Sequence, residues 1–212
     1  MNNIKLQLAL DGPLEAALAL LKDTHLYVDQ IEIGTPLVYR EGMVAVREIK
    51  SAYPNHNLLA DLKIIDAGKE EASLAFEAGA NYVTVLGVAS DETVRGVTTA
   101  AREYGGKVMA DMICVTEPVV RGQALIKLGC DVLCVHTAYD LQFKKESPLA
   151  ELALMRQHLP SAPLAIAGGV NLDNVGSIVL FKPDIIVVGG TISRATKPYE
   201  IARALKERIG QQ

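Results

Sequence analysis

The sequence holds no apolar stretch near the ~20 residues that a membrane span needs, no run of lysines and arginines, and only three cysteines. The first absence argues against a transmembrane helix. The second comes with a net charge of −4, 5% aromatics and no basic–aromatic stripe. Nucleic acid and anionic membrane surfaces are therefore poor candidate partners. A small anionic ligand stays open, because backbone amides and one or two cations suffice to hold one. Cys114, Cys130 and Cys134 cannot all pair, and no further metal ligands stand near them. They read as reduced, mostly buried thiols of a cytoplasmic protein. The opening MNNIKLQLALDG has a charged Lys5 and no cleavage-like site, so it does not read as a signal peptide.

What is abundant is apolar residue in a regular rhythm. Half of the 212 residues are hydrophobic and mean hydropathy is +0.20, which excludes disorder. Short β-branched runs alternate with longer amphipathic stretches. The runs are 4–10, 28–33, 58–62, 82–86, 107–112, 132–135, 164–167 and 185–188. Helical patterns lie at 13–22, 43–52, 67–78, 92–104, 117–128, 149–158, 172–180 and 198–208. Strict alternation implies parallel strands with right-handed crossovers. An open doubly wound sheet and a closed barrel both satisfy it. Eight near-equal units, with no linker or composition shift, favour a single (β/α)8 TIM barrel domain over 1–212.

A barrel collects its chemistry at the carboxyl ends of its strands. Those ends carry Asp11, Glu32, Asp61 with Lys63, Asp111, His136, Gly168-Gly169 and Gly189-Gly190. Acids crowded into one mouth repel unless a cation offsets them. Asp61 and Lys63 fall on one side of a strand by its period of two, and Asp66 follows where a helix start favours an acid. A strand-end salt bridge plus a helix cap would explain the same residues. Glu32 and Asp61, on adjacent strands, suit a hard cation such as Mg2+ that keeps open water positions; Glu32 could instead be a counter-ion for Lys63. Two glycine pairs after the last two strands match the usual barrel phosphate site, although many such pairs are only turns. His136 enters the mouth and is a candidate for proton transfer, or a satisfied structural group. His25, His56 and His158 fall on helices or turns and are expected to face water.

The stretches Leu6–Asp11, Ile31–Thr35, Asp61-Leu62-Lys63-Ile64-Ile65-Asp66-Ala67-Gly68 and Cys134–Thr137 resemble the orotidine-monophosphate decarboxylase superfamily, essentially end to end. The similarity is to its branch of 3-hexulose-6-phosphate synthases and 3-keto-L-gulonate-6-phosphate decarboxylases. That resemblance implies a (β/α)8 barrel, Mg2+ held by Glu32 and Asp61, and sugar phosphate held by the glycine loops. It implies catalytic roles for Asp61, Lys63, Asp66, Asp111 and His136, with Asp11 on sugar hydroxyls. It also implies a homodimer in which Asp66 serves the neighbouring subunit's site. The decarboxylases have Glu, Arg, Thr and Arg where this chain has Asp111, Tyr139, Ala167 and Gly190. Asp111 and Ala167 are synthase-like; Tyr139 has no reading. The activity implied is Mg2+-dependent aldol addition of formaldehyde to D-ribulose 5-phosphate through a 1,2-enediolate. The alternatives are the decarboxylase and a non-catalytic phosphosugar-binding protein.

Overall fold

The computed structural model describes residues 4–142 and 148–210; positions 1–3, 143–147 and 211–212 of the expected 1–212 span lie outside the described residues. Its strands are β1 (Lys5–Leu10), β2 (Gln30–Ile33), β3 (Asn57–Ile64), β4 (Tyr82–Leu86), β5 (Lys107–Asp111), β6 (Val132–His136), β7 (Leu164–Ala167) and β8 (Ile185–Val188). All pair in parallel and in chain order, and β8 returns to β1 through Lys5↔Ile185 and Leu8↔Val188, closing a barrel. The helices between them are α1 (Leu14–Thr24), α2 (Thr35–Glu41), α3 (Met43–Ala52), α4 (Gly68–Glu77), α5 (Asp91–Tyr104), α6 (Pro118–Lys127), α7 (Tyr139–Gln142), α8 (Leu149–His158), α9 (Val175–Val179), α10 (Gly190–Ser193) and α11 (Pro198–Gly210). The expected (β/α)8 TIM barrel is the fold observed.

Alternate strand residues face opposite sides, and both sides are buried here. The outward set, such as Leu6, Leu8, Ile31, Ile33, Val83 and Ile166, packs under the helices. The inward set is a separate, smaller core of Ala9, Leu59, Tyr82, Met109, Val132, Cys134, Ala165, Ala167, Ile185 and Val187. Burial on both faces is why the strands read as nearly continuous apolar runs. Each large side chain so buried contributes about 1.5–3 kcal/mol.

The floor of the barrel repeats one device four times. Asp29, just before β2, accepts the Leu6 amide at 2.8 Å and returns its own amide to the Leu6 carbonyl at 2.8 Å. Asn81 does the same with Leu58, at 3.0 and 2.8 Å. Asp131 serves Val108 at 2.8 and 2.9 Å, and Asp184 serves Leu164 at 2.9 and 2.7 Å. Each clamp joins an odd-numbered strand to the next even one. It satisfies an amide that the ladder leaves open at the strand's start.

Beyond small shifts at element ends and the short helices α7 and α10, which the sequence reading did not include, the structure differs from that reading in three places. α2 was not expected, because Pro36 and Gly42 bracket it; proline is tolerated in the first turn, and Gly42 takes φ 56° between α2 and α3. The helix expected at 172–180 shrinks to α9. β3 does not end at Leu62: the ladder pairs Ala60 with Val83 and next Ile64 with Val85, so Asp61, Leu62 and Lys63 stand opposite the single Thr84. This bulge puts Lys63 in the left-handed region at φ 49°.

Candidate active site

The bulge at the end of β3 builds the centre of the mouth. Thr84, one strand over, accepts the Lys63 amide at 2.9 Å and donates its hydroxyl to Asp61 Oδ1 at 2.7 Å. Thr35, at the start of α2, donates to the other carboxylate oxygen at 2.8 Å. So fixed, Asp61 receives Lys63 Nζ at 2.5 Å. The side-by-side placement expected for Asp61 and Lys63 is correct, but its cause is the bulge rather than strand alternation.

Lys63 also reaches Asp111 at the end of β5, at 3.3 Å, and Asp111 in turn holds His136 Nδ1 at 2.9 and 3.1 Å with its two oxygens. Asp111 is only 2% exposed. Burial pushes its carboxyl up, but the hydrogen bond and charge of His136, then Lys63 and the Ile113 amide, outweigh burial and hold it below the ordinary range. Burial would likewise lower Lys63; Asp61 and Asp111 outweigh it and keep the ammonium charged. One linked row thus runs Asp61, Lys63, Asp111, His136. Beneath it lie Met109, Cys134, Ala167 and Val187. Burial, reinforced by Asp111 and Glu32, raises the Cys134 thiol well above its usual value and keeps it neutral.

Glu32 extends the row from β2. Gln7 of β1 donates to its Oε2. Burial, then the charge of Asp61, raises its carboxyl to about 8. With Asp61 already paired to Lys63, this second buried carboxylate leaves the site short of positive charge. That donor set fits a cation such as Mg2+, which takes one or two protein carboxylates and keeps water in its shell. Among the described residues no three or more His, Cys, Asp or Glu side chains converge as a complete metal cage, so water and substrate oxygens would fill the remainder.

The other expected residues lie around this row. Asp11 is exposed at the lip; crowding raises its carboxyl, as does Asp61, against the opposing charges of Lys63, Arg194 and Arg40. Gly168 and Gly169 both take positive φ, 94° and 72°, and a Cβ on Gly168 would strike the Thr137 backbone. Its glycine is therefore required first by the β6–β7 contact. Thr191 Oγ1 donates to the Val170 carbonyl at 2.7 Å, joining the two glycine loops. Asp66 is exposed and accepts the Ala67 amide at 2.8 Å; it does not line the pocket of its own chain. Tyr139 is 58% exposed at the start of α7. The thiols are mostly buried as expected, Cys130 and Cys134 inside and Cys114 exposed. One smaller expectation needs correcting: His25 and His56 are half-buried in a ring cluster with Tyr53, where His56 Nε2 lies 3.0 Å from the His25 carbonyl. His158 is exposed.

Sequence reasoning missed Gln7, Thr35, Thr84 and Arg194. Gln7 had a signal: it is the polar residue inside the run Leu6-Gln7-Leu8-Ala9-Leu10, on the face that points into the barrel. The threonines had none, since threonine is an ordinary strand residue.

The pattern of the orotidine 5'-phosphate decarboxylase / HUMPS family matches residues 4–205. A Bacillus subtilis protein named 3-hexulose-6-phosphate synthase is 43% identical over 98% of this chain and 100% of its own length. The crystal structure of 3-hexulose-6-phosphate synthase from Salmonella typhimurium superposes with a TM-score of 0.96 at 41% identity, covering 98% of this chain and 99% of that one. That of 3-keto-L-gulonate-6-phosphate decarboxylase from Vibrio cholerae gives 0.85 at 28% identity, covering 98% and 97%. The chain belongs to the orotidine 5'-phosphate decarboxylase / HUMPS family.

Proposed function

We propose that the chain is a 3-hexulose-6-phosphate synthase, a lyase of the aldehyde-lyase type that joins formaldehyde to D-ribulose 5-phosphate. The observation that carries this reading is Asp111. It holds a histidine at 2.9 Å and a lysine at 3.3 Å over the same pocket. Full-length similarity to proteins of that name supports it.

His136, with Nδ1 engaged by Asp111, takes the C1 proton of ribulose 5-phosphate on Nε2. The C–H electron pair moves into the C1–C2 bond, and the C2 oxygen gains the charge of an enediolate. Lys63, fixed between Asp61 and Asp111, is the cation for that charge. The C1–C2 pair then attacks the formaldehyde carbon, the new C–C bond forms, and the proton on His136 passes to the formaldehyde oxygen. Mg2+ held by Glu32 and Asp61 would supply Lewis-acid stabilisation of the same negative charge. Asp11 is assigned the sugar hydroxyls, and Gly168, Gly169, Gly189 and Gly190 the phosphate end. Asp66, exposed outside its own pocket, is assigned to the partner site of a homodimer. A cytoplasmic setting goes with this reading, since Cys130 and Cys134 are buried free thiols.

Incubation with ribulose 5-phosphate and formaldehyde, with and without Mg2+, is the test. A hexulose phosphate supports the reading. Turnover of 3-keto-L-gulonate 6-phosphate alone would make the chain the decarboxylase, and binding without turnover would leave a phosphosugar-binding protein. The dimer is tested by mixing Asp66→Ala with Lys63→Ala chains. Each variant is inactive alone, and a heterodimer restores one of its two sites. No recovery in verified heterodimers would return Asp66 to its own subunit.

A further inference from the structure

The charged row fills one side of the mouth; the opposite side, after β8, holds a cation that the scheme above leaves unused. Arg194 follows α10 and its amide donates back to the Gly190 carbonyl at 3.1 Å. Its side chain folds back as well. A Cβ on Gly190 would lie 2.7 Å from Arg194 Nη1 and closer still to Cζ and Nη2. The guanidinium therefore occupies the space that any side chain at position 190 would need. Gly190 does not take positive φ, so its backbone does not require glycine; a side chain there would have to displace the flexible end of Arg194.

Among the described residues the Arg194 guanidinium is in no ion pair. Its charge is felt at Asp11, across the lip, together with that of Arg40, which donates to the Asp11 carbonyl at 2.8 Å. The Thr191–Val170 hydrogen bond brings the β7 glycine loop alongside the same spot. An unpaired guanidinium, seated on one glycine pair and next to another, presents several N–H donors in a planar fork that matches a phosphate.

We propose that Arg194 binds the phosphate group of the substrate, and that the glycine at 190 leaves room for its guanidinium to fold over the loop. This rests on the phosphosugar reading above and extends it. The backbone of the glycine loops positions the phosphate, and Arg194 supplies the positive charge that selects a phosphorylated sugar over a neutral one. It does not line the pocket that holds Lys63, Asp111 and His136, so it governs substrate capture and not the chemical step.

Steady-state kinetics of wild type, Arg194→Ala, Gly190→Ala and the double variant test this. Removing one charge-assisted phosphate contact should raise KM for ribulose 5-phosphate about 10-fold or more, with kcat and the KM for formaldehyde little changed. Competitive inhibition by inorganic phosphate should weaken in parallel. Gly190→Ala keeps the charge but displaces it, so it should raise the same KM, yet add little in the Arg194→Ala background. Arg194→Lys should recover part of the loss. Unchanged KM and phosphate inhibition in Arg194→Ala would overturn the proposal. So would a Gly190→Ala effect equally large with and without Arg194, since the methyl itself would then be at fault. A wild type that makes no hexulose phosphate would sink the synthase reading alone. In that case the stabilisation of wild type against Arg194→Ala by inorganic phosphate, read as a melting shift, still decides the role of Arg194: equal shifts, or none in either, overturn it.

Discussion

Carboxylates stand at both ends of this barrel, and the two ends treat them in opposite ways. At the floor, Asp29, Asp131 and Asp184 each accept a backbone amide from the preceding strand. They are spaced around the rim, one to a strand pair, and their negative charges do not meet. At the mouth, Glu32, Asp61 and Asp111 are gathered around one lysine, and Glu32 is raised to about 8 by burial and its neighbour. The floor uses acids as connectors, each satisfied locally. The mouth concentrates acids beyond what one lysine balances. A group placed for folding is satisfied by its own chain; a group placed for chemistry leaves something for a ligand to complete.

The comparison can be broken most sharply with a chelator. A metal-stripped sample should lose turnover, and Mg2+ should restore it, while the floor and the melting curve change little. Full activity without metal would mean that the mouth balances its own charge. Next in size is His136→Asn. Exchange of the C1 hydrogen with solvent should slow by ~100-fold or more, with ribulose-phosphate binding and the melting temperature close to wild type. Unchanged exchange would pass the base's role to another group.

The floor should respond in the reverse sense. Asp184 accepts the Leu164 amide at 2.9 Å and pairs with Arg156 at 3.3 Å. Asp184→Ala should cost about 1–3 kcal/mol of stability and leave kcat/KM near wild type. A large catalytic defect at unchanged stability would erase the division between the ends. The smallest effect is a pH slope. Glu32 has a folded pKa of about 8 against an ordinary 4.5, so its contribution is fully present below pH 4.5 and is lost as pH rises through 8. Metal-free protein should therefore melt at lower temperature as pH climbs through that window. Glu32→Gln should flatten the slope, and an equally steep variant would assign it to another group.

How much of this was legible depends on the physical scale of each feature. The barrel was, because eight β-branched runs alternating with amphipathic stretches leave few topologies open, and β4, β7 and β8 have the bounds read from the sequence. The charged mouth was also legible: Glu32, Asp61, Lys63, Asp111 and His136 are strand-end residues, and strand ends follow from strand positions. What failed is local backbone geometry. α7 and α10 are shorter than a helical period can reveal, and the bulge in β3 leaves no mark in an apolar run. Side chains that act through another residue were equally hidden. Thr84 matters because it bonds both Asp61 and the Lys63 amide, and Arg194 because it folds over Gly190. Neither relation is a spacing.

Lys63 holds a left-handed backbone at φ 49°, which for a residue with a side chain costs roughly 1–2 kcal/mol. Glycine would sit there without that penalty, but it would leave the buried Asp61 and Asp111 without their lysine, a loss of about 3–5 kcal/mol. The strain is therefore the smaller of the two costs at this position. Once the mouth holds its acids, the same lysine is needed for the barrel to stand and for the charge that the reaction develops, so neither role can be lost without the other.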